Sequence, residues 1–325
     1  MRQAQEMHLP ALLLQLFANY AVRFIGHEPL HTSENIVLKL RAEDGRPFAL
    51  RISKTAGSDP AALASELALL RDFGQQTGAL VPVPLPARDG RLFCSASEGS
   101  RDALCVVFHW LPGVHLADDD ITPDHMAAMA RATARLHAFA AAYRPPPGFV
   151  RPVYDESWFF ETESWQATPA FVDRLDPAHA TFLQESGDAI RTRLGTVPRS
   201  PDSFGLIHYD LHPGNFLFDG PQARMLDFDE CGFGFFLFDL AHLLFEFIEH
   251  PRAPDFRRAA LEMYAQTRNI SAVPDADLNL FLALQGIAYV NWLHRVFRRD
   301  GHADGVAYWL PVIVRRLRTV LDAGG

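Results

Sequence analysis

The chain has 325 residues, of which 48% are apolar and 21% charged, with a formal net charge of −9. That length buries one large core or two smaller lobes, and the composition is that of a globular chain rather than a disordered or fibrous one. The acidic balance speaks against a nucleic-acid partner, because a phosphate backbone is met by basic patches. The three cysteines, Cys94, Cys105 and Cys231, are odd in number and lack C-x-x-C spacing, so they support neither a disulfide framework nor a zinc site. They read as free thiols of a reducing compartment. Glu6, His8 and Pro10 interrupt any signal-peptide pattern, and no run reaches the ~18 apolar residues of a spanning helix. The expectation is a cytoplasmic protein with no membrane partner.

In chain order, Leu12, Leu13, Leu16, Phe17 and Tyr20 form a helical stripe within residues 8–20. From Leu30 to Ser53 the pattern turns strand-like. The runs 35–41 and 47–53 flank the turn Glu43-Asp44-Gly45-Arg46 and predict a hairpin. Alternation along the second strand puts Ala49 and Arg51 on one face and Phe48, Leu50 and Ile52 on the other. Asp59-Pro60 is a helix start, a capping acid before a proline at the first helical position. Leu63, Glu66, Leu67 and Leu70 share one side of that helix. The prolines of 81–86 exclude a central strand and predict an extended connector. A turn and strand follow over 88–93. A buried strand over 104–111 ends at Pro112-Gly113. Thr122-Pro123 opens a helix that stops before Pro145. Residues 145–170 are rich in tryptophan, phenylalanine and acids. They are read as an irregular packed segment, with an aromatic cage for an amine as the alternative. Asp176-Pro177 starts a further helix, and 255–269, 277–299 and 303–322 are helical in pattern.

Chemistry concentrates between Gly205 and Leu244. Two apolar runs, Leu206-Ile207 and Phe216-Leu217-Phe218, flank a polar loop from His208 to Asn215. A hairpin turning at Asp219-Gly220 then returns to Asp227. This layout folds Asp210, Asn215 and Asp227 towards one point. A carboxylate at Asp210 can accept the proton of an attacking hydroxyl, and Asn215 and Asp227 offer hard oxygen ligands suited to Mg²⁺. Phosphoryl transfer asks for little more than a positioned nucleophile, a metal and charge neutralisation.

The order H-x-D-x-x-x-x-N, with an acid twelve residues after the asparagine, has the pattern of a kinase catalytic loop and its metal-binding acid. His208-Tyr209-Asp210-Leu211-His212-Pro213-Gly214-Asn215 resembles the loop of the aminoglycoside phosphotransferase and choline kinase-like superfamily, usually H-G-D-L-H-x-x-N. Asp239-Leu240-Ala241 resembles that family's downstream D-L-A, with Asp239 read as beginning a helix and the aromatic run 233–238 before it as core. Tyr209 and Asp229 depart from eukaryotic protein kinases. They place the resemblance in the bacterial small-molecule branch, which includes type II homoserine kinases and a stress-response kinase.

The resemblance implies an α+β, two-lobed protein kinase-like fold. A small strand-rich lobe would span 1–110 and a larger, mainly helical lobe 111–325, with ATP and Mg²⁺ between them. It implies Asp210 as catalytic base, with Asn215 and Asp227 on the metal. Phe48-Ala49-Leu50-Arg51 matches the kinase V-A-I-K, with arginine as the phosphate-binding cation and Glu66 as its partner. Lys54 falls on the opposite face. Ser33-Glu34-Asn35, within the turn 31–35, resembles the relatives' S-E-N over the phosphates. Phe108, His109 and Leu111 lie where kinases read the base through backbone groups; side chains there do not separate ATP from GTP. His208, His137 and Asp239 are structural on this reading, and the helix carrying Trp292, His294 and Arg295 lines the acceptor side. The leading acceptor is a small-molecule hydroxyl: an amino alcohol, a homoserine-like metabolite, a sugar or an aminoglycoside. A protein acceptor and a nucleotide-binding pseudokinase are the alternatives. Oligomeric state is left open.

Overall fold

The computed structural model describes residues 9–32, 35–53, 59–78, 80–98, 101–300 and 303–323. Contacts divide the chain into two compact units. One is Met1–Gly113 with Arg144–Arg151, and the other is Val114–Tyr143 with Pro152–Gly325. The architecture is α+β: an N-terminal antiparallel sheet, then a larger, mainly helical part.

The first unit begins with α1 (Leu9–Phe17) and continues through β1 (Phe24–Thr32), β2 (Asn35–Ala42), β3 (Pro47–Ser53), α2 (Pro60–Thr77), β4 (Cys94–Glu98) and β5 (Arg101–His109). The five strands form one sheet in the order β1-β2-β3-β5-β4, with every neighbouring pair antiparallel. Phe48, Leu50 and Ile52 of β3 are buried and the residues between them are not, so the alternation read from sequence is real. Their face packs with Leu12, Leu13, Leu16 and Tyr20 into the unit's core. Asp59 caps α2, accepting from the Ala61 amide at 2.8 Å, which is worth about 1 kcal/mol. The proline-rich connector runs beside β5 as an extended segment: Leu85 N donates to Val107 O at 2.7 Å and His109 N to Val83 O at 2.9 Å. Residues 144–151 return to this unit, where Val150 N donates to Ser65 Oγ at 2.8 Å.

The second unit holds α3 (Pro123–Ala142), β6 (Val153–Tyr154), α4 (Pro169–Val172), α5 (Pro177–Leu194), β7 (Phe204–Ile207), β8 (Phe216–Asp219), β9 (Gln222–Met225), β10 (Gly232–Phe235), α6 (Phe236–Phe245), α7 (Ala253–Arg268), α8 (Asp275–Asp300) and α9 (Ala303–Asp322). The hairpin β8–β9 turns at Gly220 (φ +56°), as the Asp-Gly pair predicts. Strand β10 lies between β6 and β7.

Four readings are corrected. Residues 24–32 form a strand, β1, so His31 and Thr32 continue a ladder rather than begin a turn. The strand after the 88–90 turn starts at Cys94, beyond 93. Helix α6 starts at Phe236, three residues before Asp239. Gly232–Phe235 is a strand that two glycines conceal: a Cβ on Gly232 would meet Tyr154 Cε2 at 2.6 Å, and one on Gly234 would meet Ile207 Cδ1 at 2.4 Å. Close approach of neighbouring side chains, not strand propensity, sets that sequence. In 145–170 the irregular packed reading holds. Phe159 and Trp165 are core, while Asp155, Glu156, Glu161 and Glu163 face arginines rather than form a cage. The three cysteines are buried and form no disulfide, with Cys94 opposite Cys105 on β4 and β5. No helix among the described residues is long and apolar enough to cross a membrane.

Candidate active site

The loop 208–215 is built on a buried acid. Asp239, on the first turns of α6, is 0% exposed and accepts three hydrogen bonds. His208 N and Tyr209 N each donate at 2.8 Å, and His137 Nε2 donates at 3.0 Å. His137 Nδ1 then accepts from Tyr264 Oη at 2.8 Å, the arrangement of a neutral imidazole. His208 Nε2 donates to Leu226 O at 2.7 Å, and Leu226 N donates to Asn215 O at 2.8 Å. These two bonds bring the segment ending in Asp227 against the loop. The structural roles read for His137, His208 and Asp239 are thus accounted for by geometry.

Tyr209 stands at φ +73° and Asp227 at φ +58°, a region that costs a non-glycine residue about 1 kcal/mol or more. Tyr209 is held there at both ends of its backbone. Its amide donates to Asp239, and its carbonyl accepts from His242 Nδ1 at 2.9 Å. Its ring stacks on Tyr154 at 3.6 Å and Phe238 at 5.3 Å, with its hydroxyl accepting from Trp158 Nε1 at 3.2 Å. Burial pushes that phenol up to about 12, so it stays neutral.

Asp210 follows the strained residue, and its side chain is 43% exposed. Asn215 Nδ2 donates to Asp210 O at 2.8 Å and to Asp210 Oδ2 at 3.2 Å. This orients the amide and turns its oxygen away from Asp210. The Asn215 amide oxygen and the Asp227 carboxylate, on segments joined by the Leu226–Asn215 backbone bond, are a donor set that fits a divalent cation whose other ligands are phosphate and water oxygens. Among the described residues no cluster of three or more His, Cys, Asp or Glu forms a metal cage of its own. Imidazoles flank the Asp210 carboxylate, His212 Nε2 at 3.8 Å from Oδ2 and His242 Nε2 at 3.8 Å from Oδ1.

Asp210 opens on a cavity of about 280 Å³, whose walls include His242, Gln285, Tyr289, Trp292 and Arg295. Sequence reasoning found Trp292 and Arg295 but not His242, Gln285 or Tyr289. The missed signal is the spacing 285, 288, 289, 292, 295, one stripe of a helix. His294 lies off that stripe: it is buried and its Nε2 bonds Thr168 Oγ1 at 2.7 Å.

In the first unit, Arg51 Nη2 donates to both carboxylate oxygens of Glu66, at 2.8 and 2.9 Å. Glu66 is only 2% exposed, so the pair expected from sequence forms in a buried setting. Asn35 begins β2, while Ser33, Glu34 and Lys54 lie outside the described residues. Phe108 and Leu111 are buried and His109 is exposed. The His109 amide donates to Val83 O. Arg51→Ala leaves Glu66 without its ion-pair partner, which costs about 3–5 kcal/mol. Arg51→Met with Glu66→Leu is expected to recover most of that stability but not nucleotide affinity. Urea unfolding beside nucleotide titration separates the two effects, and full affinity in the double variant would remove Arg51 from phosphate binding.

His137 and His242 are both held below the ordinary histidine pKa, chiefly by burial. Each is neutral when folded, whereas the unfolded chain takes up protons near pH ~6.5. The unfolded state therefore gains protons as pH falls, and stability drops through that value. Asp239 is held low despite its burial, principally by its bond from His137, so its contribution is lost only at lower pH, below the usual carboxylate range. The urea midpoint is expected to fall between pH 7.5 and 5.5, and to fall less in His137→Gln. A midpoint flat across that window would contradict the assignment.

The fold and this loop define a phosphotransferase with a protein kinase-like architecture. The chain belongs to the phosphotransferase enzyme family (APH), which it matches over residues 28–273. It is 26% identical over 246 residues to an amicoumacin kinase of Bacillus subtilis, covering 75% of this chain and 68% of that one. It is 27% identical over 243 residues to a homoserine kinase of Cupriavidus metallidurans, covering 70% and 68%. A solved structure of an amicoumacin kinase in complex with AMP-PNP, Ca²⁺ and Ami superposes with a TM-score of 0.76 at 21% identity, over 98% of this chain and 94% of that one.

Proposed function

We propose that the protein transfers the γ-phosphoryl group of Mg-ATP to a hydroxyl of a small molecule, with Asp210 as the base. The observation that carries this reading is the Asp210 carboxylate, oriented by Asn215, at the mouth of a cavity of about 280 Å³. Drug-sized sites run about 300–1,000 Å³, so the cavity suits a compact acceptor better than a protein loop or a multi-ring one. Asp210 orients the acceptor hydroxyl and takes its proton as the oxygen attacks. Arg51, aligned by Glu66, holds nucleotide phosphates. Asn215 and Asp227 hold the cation, which when bound supplies charge neutralisation to the phosphates. Alignment and electrostatics carry the rate, with no covalent work by the chain. The adenine contacts are assigned to the backbone of 108–111, and Ser33, Glu34 and Asn35 to the phosphates. The nucleotide analogue and divalent ion in the amicoumacin kinase complex support this cofactor pair, and small-molecule kinases among the relatives support the acceptor class.

The test is transfer from labelled Mg-ATP across amino alcohols, hydroxy amino acids, sugars, aminoglycosides and a generic protein. Transfer to one small-molecule class is the expected result. Transfer to protein alone would replace the acceptor, and a bound nucleotide with no transfer to any compound would contradict the reading.

A further inference from the structure

The cavity beside Asp210 holds two polar groups that the transfer step does not use. Gln285 is 2% exposed, and its Oε1 has no hydrogen-bond partner. A buried amide oxygen without a donor costs about 1–3 kcal/mol, so the site is built for a donor that arrives with the ligand. Arg295 lies ten positions further along the same stripe of α8. Both side chains line the same cavity. Arg295 Nη1 forms an ion pair with Glu163 at 3.8 Å but no direct hydrogen bond, so the donors of the fork remain available to a planar anion.

The remaining charges on the wall sharpen this. Among the described residues Asp210, the proposed base, is the one carboxylate lining the cavity, and Glu163 stands at its edge beside Arg295. His212 and His242 stand beside it. Glu246 points behind Tyr289, which donates to it, and pairs with Arg316 at 3.4 Å.

We propose that Arg295 and Gln285 are specificity-determining residues, selecting an acceptor that carries, besides its hydroxyl, a carboxylate for Arg295 and an N–H donor for Gln285. This rests on the phosphotransferase reading above and narrows its acceptor. The probes are matched sets: L-serine, L-threonine and L-homoserine, each beside its decarboxylated amine (ethanolamine, 1-amino-2-propanol, 3-amino-1-propanol) and its deaminated hydroxy acid. Binding is measured by calorimetry with Mg-AMP-PNP present, and transfer is measured with Mg-ATP.

The wild type is expected to prefer one amino acid over both its stripped counterparts. Arg295→Gln is expected to lower the preference for amino acid over amine by about tenfold, as loss of a charge-assisted bond does. Gln285→Leu is expected to lower the preference for amino acid over hydroxy acid by about fivefold, on the same scale. It should not lower the melting temperature, because it removes an unpaired buried atom. Amines bound and phosphorylated as well as the amino acids, or preferences unmoved in both variants, would overturn the specificity assignment while leaving the kinase reading intact. So would a failure of every carboxylate-bearing probe to bind. Amino acids bound with these preferences but phosphorylated by neither protein nor variant would instead overturn the kinase reading and leave the subsite standing.

Discussion

Asp210→Asn is expected to lower phosphoryl transfer by about 10²–10⁴-fold, the range for loss of a positioned general base. The replaced group is a half-exposed carboxylate at the cavity mouth, not part of the core. Asn215 keeps its bond to the main-chain oxygen of residue 210, so the loop retains its shape. Nucleotide affinity is expected to stay within about twofold, since the proposed phosphate and metal contacts lie on Arg51, Asn215 and Asp227, and within twofold is less than the loss of one hydrogen bond. Single-turnover transfer, nucleotide titration and thermal melting of the same preparation check the three statements together. Wild-type transfer in the variant would remove Asp210 from the reaction.

Asp239→Ala is expected to be the most damaging single change to folding. Two loop amides and the His137 imidazole lose their common acceptor in a site with no access to water. Leaving several buried donors unpaired costs about 3–5 kcal/mol, a large share of the 5–15 kcal/mol that holds a typical domain together. Asp239→Asn separates folding from function. Its one oxygen can satisfy one amide, but its NH₂ then opposes another donor. The positive-φ backbone of Tyr209 loses part of what holds it. This variant is expected to fold, to melt lower, and to lose transfer because Asp210 is one residue downstream of the disturbed amide. An Asp239→Asn protein with full activity and an unchanged urea midpoint would show that the clamp does not position the loop.

Much of this was legible before any coordinates, for identifiable reasons. Caps and prolines announce helices locally, and Asp59 and Asp176 accept the amide bonds their positions predict. Alternation in β3 placed Arg51 opposite the core face and a helical stripe placed Glu66 inward, while their pairing was what the family resemblance implied. Strand β10 was not legible because its glycines record the closeness of Tyr154 and Ile207, partners distant in sequence. The first part of strand β1 was missed because Gly26, His27 and Pro29, with register shifts beside Gly26 and Pro29, break the alternation expected of a half-buried strand. The cavity wall was only partly legible: Gln285 and Tyr289 fit an ordinary packing helix, and nothing local marks them as facing Asp210 some seventy-five residues earlier.

The sequence by itself determined the loop and hairpin on which Asp210, Asn215 and Asp227 lie, the phosphotransferase resemblance those motifs carry and, through it, the α+β class and the supporting roles of His137 and Asp239. These are short-range statements, set by spacing within one loop, one hairpin and the turns of single helices. The tertiary structure alone decided that one carboxylate clamps Tyr209 through its amide while His242 holds its carbonyl. It alone decided that Asp210 faces a small cavity with one guanidinium and one unpaired amide oxygen on its wall. The physical reason is that burial and hydrogen-bond satisfaction are properties of groups brought together from distant segments. A sequence pattern records which face of an element turns inward, but not which other element fills the space in front of it.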